Sequence, residues 1–249
     1  MKKLLLFLFV FMMGSSLIAC SDNPIDLSVT DAFALMNEAI QNYLDADSLE
    51  LLYHGEYAST AHLMNDNLRV RIKKIGTENQ VGHVTVNMTV DDVPSSVITN
   101  YQKGIIYNDI IDENDQSKKT FEQKIQADFI RLYTLFLKSK IVWTEVQEVL
   151  YQASSKEITL TFVLSSSAIE KTLYVLPAMD YAKTANVSIT FSEKAKLLRM
   201  EVAYEARIDS VYGDFIYSVD FVKINSYVIV PTLSASEITL YTEVVKNEE

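Results

Sequence analysis

The chain has 249 residues, of which 49% are hydrophobic, and its 22 basic and 33 acidic side chains give a net charge of −11. This hydrophobicity excludes a wholly disordered chain, and the length is enough to bury a sizeable core. The negative charge argues against binding to nucleic acid and against electrostatic adhesion to anionic lipid heads, because both need clustered Lys and Arg.

The amino terminus has the pattern of an export signal. Lys2 and Lys3 precede ten consecutive apolar residues, Leu4 to Met13. Ten residues are too few for a membrane-spanning helix, which needs about 20, but they suit the core of a signal peptide. The segment ends in Leu17-Ile18-Ala19-Cys20, which resembles the lipobox of bacterial lipoproteins, and Cys20 is the only cysteine in the sequence. The alternative is a plain secretory signal that happens to end near a cysteine.

The lipobox resemblance predicts how the chain is processed and where it works. Residues 1–19 would be a signal peptide, and Cys20 would carry diacylglycerol and further acyl chains such as palmitate. The protein would then be anchored by lipid at the extracytoplasmic face of the cell membrane, since two or three acyl chains give stable anchoring. The lipidated Cys20 and a short tether make up residues 20–27, and the seven residues that follow Cys20 span at most about 25 Å. We therefore expect the domain to lie close to the bilayer.

Three segments have helical periodicity. Ser28 to Leu44 places Phe33, Met36 and Ile40 on one stripe, and Ser28 or Thr30 is a suitable cap. A second helix is predicted from about Lys118 to Lys138, with an apolar face made of Phe121, Ile125, Phe129, Leu132 and Phe136. A short helix is predicted after the Ser165-Ser166-Ser167 cluster, carrying Ile169 and Leu173 and ending before Pro177.

Most other segments alternate between apolar and polar residues with period two, which predicts half-buried antiparallel strands. The predicted strands lie at about 48–57, 68–73, 84–90, 97–101, 105–110, 158–164, 187–191, 198–204, 215–221 and 227–230. Turns are predicted at Gln102-Lys103-Gly104, at Glu193 to Lys196 and at Gly213. No Gly/Ser-rich or Pro-rich linker divides the chain, so the prediction is one α+β domain over residues 28–245.

The order of these elements resembles that of a known superfamily. The resemblance is carried by the helix Ala32–Leu44 with the strand Ser48–Tyr57, by the hairpin Tyr101-Gln102-Lys103-Gly104-Ile105-Ile106-Tyr107, and by Ile229-Val230-Pro231. The pattern is similar to that of the lipoprotein-carrier superfamily, which includes periplasmic lipoprotein carriers, lipid-carrying lipoproteins of mycobacteria and uncharacterised lipoproteins of Gram-positive bacteria. The resemblance implies a curved antiparallel half-barrel, helices packed on its concave face and acyl chains held between them. It carries over no individual binding residue.

The candidate site is the apolar face of the predicted sheet. Met and Tyr side chains can line an adaptable apolar cavity, because Met is flexible and Tyr adds a polar group. The candidate lining residues are Tyr53, Tyr57, Val70, Ile72, Val86, Met88, Phe162, Ile189, Met200, Val202, Phe215 and Tyr217. The alternative is that these residues fill a solid core, and alternation by itself does not distinguish the two.

Catalytic and metal-binding patterns are weak. His54 and Glu56 share a strand face, which could suit a metal, but such a pair is more often a solvated surface. The acidic run from Asp112 to Asp115 fails the calcium-loop pattern at Ser117 and Gln123. We therefore predict no enzyme, metal or cofactor, and a lipoprotein that binds or carries a lipid or another apolar ligand. The competing hypothesis is a structural lipoprotein with a filled core that contacts another envelope protein.

Overall fold

Twelve strands form one sheet in the computed structural model, which describes residues 25–59, 63–114, 116–123, 137–173, 182–208 and 211–244. The strands are β1 (Ser48–Ser59), β2 (Leu63–Lys73), β3 (Val81–Val90), β4 (Val93–Gln102), β5 (Ile105–Ile111), β6 (Ser117–Gln123), β7 (Val146–Ala153), β8 (Glu157–Ser165), β9 (Thr184–Ser192), β10 (Leu197–Ile208), β11 (Val211–Ile224) and β12 (Thr242–Glu243). The helices of the described residues are α1 (Val29–Leu44), α2 (Ser166–Thr172), α3 (Ala235–Ile238) and a 3-10 turn at Trp143–Glu145.

The sheet is a meander whose two halves meet along β1 and β11. Its order is β12-β6-β5-β4-β3-β2-β1-β11-β10-β9-β8-β7. All neighbours are antiparallel except β12, which pairs with β6 in parallel. Within the described residues the sheet is curved and does not close. The antiparallel strands predicted from the alternation and the curved half-barrel meander implied by the superfamily resemblance are therefore confirmed, although the architecture is mainly β rather than α+β.

Alternation gives the sheet an apolar face and a polar face, as β8 illustrates. Ile158, Leu160 and Phe162 on this strand are buried, at 1% exposure or less. Between them, Thr159 and Thr161 point the other way, and their hydroxyls bond those of Thr190 and Ser188 on β9 at 2.9 Å. We call the side with the buried residues the apolar face and the other side the polar face.

Helix α1 covers part of the core, as its apolar stripe predicts. The Ser28 side chain caps it by accepting the Asp31 backbone N–H at 3.1 Å. Phe33, Met36 and Ile40 are buried, and the helix contacts β8, β9 and β10. The predicted helix is thus confirmed within a residue of its expected start.

The predicted turn between β4 and β5 is also confirmed. Lys103 and Gly104 both have positive φ, at 53° and 76°. Two consecutive residues with positive φ match the right-handed twist of the flanking strands, which is why such two-residue hairpins favour glycine.

The helix predicted over Lys118–Lys138 is wrong in its first part. Ser117–Gln123 is strand β6, which pairs with β5, and Phe121 lies against Tyr107 with ring centroids 6.1 Å apart. The reversal before it is stabilised by Asp112, whose Oδ1 accepts the backbone N–H groups of Asn114 and Gln116. Pairing with β5 therefore outweighs the helical spacing. Ile125, Phe129, Leu132 and Phe136 lie outside the described residues.

Several predicted boundaries differ from the structure. Gly213 lies within β11 rather than in a turn, and the Tyr57 ring occupies the space that a Cβ at position 213 would take. The predicted strand 227–230 is an irregular segment. Helix α2 was predicted, but it ends at Thr172 and Leu173 follows as its cap. Strands β7 and β12 were not predicted.

Candidate functional site

Strand register places all twelve candidate residues on the apolar face. Met88 and Val86 on β3 are linked through β2 and β1 to β11, where Tyr217 pairs with Gly55 and with Val202. From β10 the face continues through Ile189 on β9 to β8. The residues thus brought together are Tyr53, Tyr57, Val70, Ile72, Val86, Met88, Phe162, Ile189, Met200, Val202, Phe215 and Tyr217.

Burial divides this set into two parts. Nine of the twelve are in the core at 5% exposure or less: Tyr57, Val70, Ile72, Phe162, Ile189, Met200, Val202, Phe215 and Tyr217. Tyr53, Val86 and Met88 are only partly buried. The partly buried residues lie on β1 and β3, while α1 contacts the other half of the sheet, β8 to β10. The apolar face therefore extends beyond the part of the core that α1 covers.

An aromatic cluster lies where the two halves of the sheet meet. Tyr204 and Phe215 stack in parallel, with centroids 5.0 Å apart and planes at 1°. Tyr57 stacks on Phe215 at 4.5 Å, and Tyr217 lies 5.7 Å from Tyr53. Such offset aromatic pairs add stability beyond their buried area. Tyr204 was not predicted as a site residue, although it continues the alternation of Met200 and Val202.

A carboxylate that the sequence analysis did not single out lies on the same face. Asp66 is opposite Gly55 on β1 and Met88 on β3. Its Oδ1 fills the space that a Cβ at position 55 would occupy, beside the Tyr217 ring. Both Asp66 Oδ1 and the Tyr217 hydroxyl are buried. The sequence indicates the position of Asp66, because in Asp66-x-Leu68-x-Val70-x-Ile72 an acid occupies a place in the apolar alternation.

Burial changes the acidity of this group of side chains. It raises the pKa of Asp66 above its ordinary value of 3.8, although the charge of His54 acts in the opposite direction. It also raises the pKa of Tyr217, and the negative charge of Asp66 adds to the effect. The phenols remain neutral at physiological pH, and Asp66 is the ionisable group of the cluster.

The polar face holds an open groove of about 530 Å³. Its lining residues are Leu52, Tyr53, His54, Asn67, Leu68, Arg69, Arg71, Thr85, Asn87, Ser218 and Asp220, of which Tyr53 and Leu68 belong by register to the apolar face. Next to it, the Glu50 side chain is 5% exposed and forms ion pairs with Arg69, Arg71 and Lys223. The guanidinium groups at the groove are thus held by a buried carboxylate, and the arrangement stabilises the β1–β2–β11 junction.

His54 and Glu56 share the polar face, as the i, i+2 spacing predicts. His54 Nε2 lies 2.9 Å from Glu56 Oε1, and Nδ1 lies 2.9 Å from Asn67 Oδ1. The bond to Glu56 raises the pKa of His54, while partial burial lowers it. The pair is a surface ion pair, and no group of three or more His, Cys, Asp or Glu gathers around it or elsewhere in the described residues.

The predicted anchor lies outside the described residues, which begin at Ile25. That residue is fixed to the turn between β7 and β8: its N–H donates to Ser154 O at 3.1 Å, and the Tyr151 hydroxyl donates to its carbonyl at 2.9 Å. The described part of the chain contains no helix long and apolar enough to cross a membrane.

Comparison with known proteins finds similarity among solved structures. No protein-family model matches the chain, and no curated protein matches it. Lipoprotein LppX of Mycobacterium tuberculosis is similar at 10% identity with a TM-score of 0.48, over 82% of this chain and 100% of that one. LprF of Mycobacterium bovis is similar at 10% identity and the same TM-score, over 82% of this chain and 97% of that one. At these values the comparisons assign neither a family nor a ligand.

Proposed function

We propose that this protein is a lipid-anchored, extracytoplasmic lipoprotein whose single domain, residues 28–245, binds a lipid or another apolar ligand on the apolar face of its sheet. In this proposal the apolar face is the concave face of the sheet, and helices lie across it. The protein needs no cofactor for this role and acts as a binding protein rather than an enzyme. Cys20 is its lipid attachment site.

One observation carries the proposal: the apolar face continues past the filled core. Tyr53, Val86 and Met88 are partly exposed, although they lie on the same face as nine fully buried residues. These three side chains extend the buried core as a partly exposed apolar surface. Met88 is flexible and the Tyr53 ring is large, so together they offer contacts to a chain-like ligand.

Lipid extraction and native mass spectrometry test the proposal directly. The chain from residue 20 onward, with Cys20→Ser so that it carries no covalent lipid, is purified without detergent. We expect a co-purified lipid, or saturable binding of a fluorescent fatty-acid probe with a blue-shifted emission. A protein that carries no lipid and binds no apolar probe would instead support the structural lipoprotein with a filled core.

A further inference from the structure

We infer that the end of the sheet to which the tether is fixed is a docking surface for an anionic lipid bilayer, with lysines on its turns and Tyr227 and Ile229 as inserted apolar side chains. The role of the tether rests on the proposed lipid at Cys20. The charge of the turns and the exposure of Tyr227 and Ile229 do not depend on that lipid.

The described chain begins at Ile25, next to the turn between β7 and β8. Ile25 is held against the β7–β8 turn by its bonds to Ser154 and Tyr151. Cys20 precedes Ile25 by five residues, so it lies at most about 18 Å from Ile25. A lipid on Cys20 therefore brings this end of the sheet, rather than the opposite end, to the bilayer.

The second step is the charge of the hairpin turns. Four turns join strands at the tether end, residues 74–80, 103–104, 154–156 and 193–196, and two described turns join them at the opposite end, residues 91–92 and 112–116. The tether-end turns carry two acids, Glu78 and Glu193, and five lysines: Lys74, Lys103, Lys156, Lys194 and Lys196. Each of the five is exposed.

The opposite turns have the reverse charge. Asp91, Asp92, Asp112 and Glu113 are exposed there, and the described residues of these two turns include no Lys or Arg. Near the tether end, the exposed Asp45 and Asp47 in the α1–β1 connection bring the acids to four against the five lysines. An anionic surface is therefore attracted by the tether-end turns and repelled by these two acidic turns, although the net charge of the whole chain is −11 and Lys140, Lys171 and Lys183 lie elsewhere at the opposite end.

The third step is an exposed apolar pair at the lysine-rich end. After β11 the chain continues with Tyr227 at 83% exposure and Ile229 at 66%, while the intervening Val228 is buried at 3%. The segment is fixed to β1, since the Asn225 N–H donates to Ser48 O and the Ser48 hydroxyl donates to Ser226 O. Tyr227 and Ile229 are thus held outward rather than folded onto the core.

These parts are close neighbours in the sheet. Strands β8, β9, β10 and β11 are consecutive, so the Ser154 turn, the Lys194 turn and the start of the 225–230 segment lie within about 15 Å of sheet width. A tyrosine beside an aliphatic side chain suits the bilayer interface, where one end of the phenol is apolar and the other is wet. The surface combines electrostatic and apolar contributions to lipid binding.

Co-sedimentation with vesicles tests whether the lysines of the tether-end turns bind anionic lipid. The Cys20→Ser chain from residue 20 onward is mixed with vesicles of phosphatidylcholine alone or with phosphatidylglycerol added. We expect binding only with the anionic lipid, weakened by salt. Lys194→Gln with Lys196→Gln should lower the partition coefficient about tenfold or more, because each lysine near the surface contributes about fivefold. The control pair is Lys140→Gln with Lys183→Gln, exposed lysines near the starts of β7 and β9 at the opposite end, and it should bind like the parent.

An environment-sensitive fluorophore tests which end inserts. Because the Cys20→Ser chain has no thiol, Tyr227→Cys or Val93→Cys provides one labelling site. Val93 is 47% exposed beside the acidic 91–92 turn. The label at 227 should shift to the blue on anionic vesicles and the label at 93 should not. Equal binding to both vesicle types, equal loss in the two lysine pairs, or a larger shift at position 93 would overturn the inference. None of these results depends on ligand binding or on acylation of Cys20.

Discussion

Glu50 and Arg69 form the closest ion pair of a charged cluster on the polar face, with Arg69 Nη2 donating to Glu50 Oε1 at 2.6 Å. Arg69 Nε donates to the same oxygen at 3.1 Å, and Lys223 lies 3.1 Å from the other oxygen. Burial acts to raise the pKa of Glu50, but the hydrogen bonds from Arg69 and Lys223 outweigh it and lower the pKa from 4.5 to about 2. The cluster therefore links β1, β2 and β11 through one carboxylate.

Glu50→Gln should destabilise the protein. The substitution leaves three cations close together without their counter-charge, so we expect a loss of about 3 kcal/mol in the free energy of unfolding in urea. Because the folded pKa lies below the unfolded one, this contribution is full above pH 4.5 and is lost as the pH falls from 4.5 through about 2.

The matched control for that substitution is Glu201→Gln. Glu201 is 35% exposed and lies 3.6 Å from Arg199, so its loss should cost about 0.5 kcal/mol or less. Similar losses for the two variants would show that the Glu50 cluster is no stronger than an ordinary surface pair.

Asp66→Asn should also change how stability depends on pH, in the sense opposite to that expected for Glu50→Gln. The folded pKa of Asp66 is raised above 3.8, so the folded state binds the proton more tightly than the unfolded chain does. The parent should therefore gain stability relative to the Asn variant as the pH falls from neutral through the folded pKa of Asp66. Urea unfolding of both proteins across that range measures the difference. A difference that does not vary with pH would mean that Asp66 is well solvated.

Met88→Trp and Val202→Phe should have different effects, although both positions lie on the apolar face. Met88 is partly exposed, so a larger ring should change stability little and should reduce binding of a fatty-acid probe. Val202 is fully buried, and enlarging it should overpack the core at a cost of about 1–3 kcal/mol. Thermal melting and probe titration of the same samples provide the test. Unchanged probe binding by the Met88 variant would place the ligand elsewhere, and a parent that binds no probe would contradict the carrier role.

Cys20→Ala tests the anchor separately from the binding site. Without the thiol there is no acceptor for diacylglycerol, so the precursor should remain unlipidated and be left uncleaved or processed abnormally. The measurement is metabolic labelling with a fatty-acid analogue, together with mobility on a gel. Label that persists in the variant would show that the acyl chains are attached at another residue.

Local patterns in the sequence were enough to predict most strands, helix α1 and the Lys103-Gly104 turn. Strand alternation and helical stripes depend on near neighbours in the chain, and turn residues act on their own backbone angles. The same alternation predicted that all twelve candidate residues share one face. Helical spacing gave a wrong prediction at Ser117–Gln123, because this segment pairs with β5 as a strand.

Only the tertiary structure decided which of those residues are fully buried, because burial depends on where α1 lies and on how β1 pairs with β11. It also placed Asp66 against Gly55 and Tyr217, three residues brought together by register alone. The net charge of −11 argues against attraction to anionic lipid, but a net charge does not show where on the surface the charged residues lie. The meander gathers alternate turns at opposite ends of the sheet, and this separates the lysines of one set from the acids of the other.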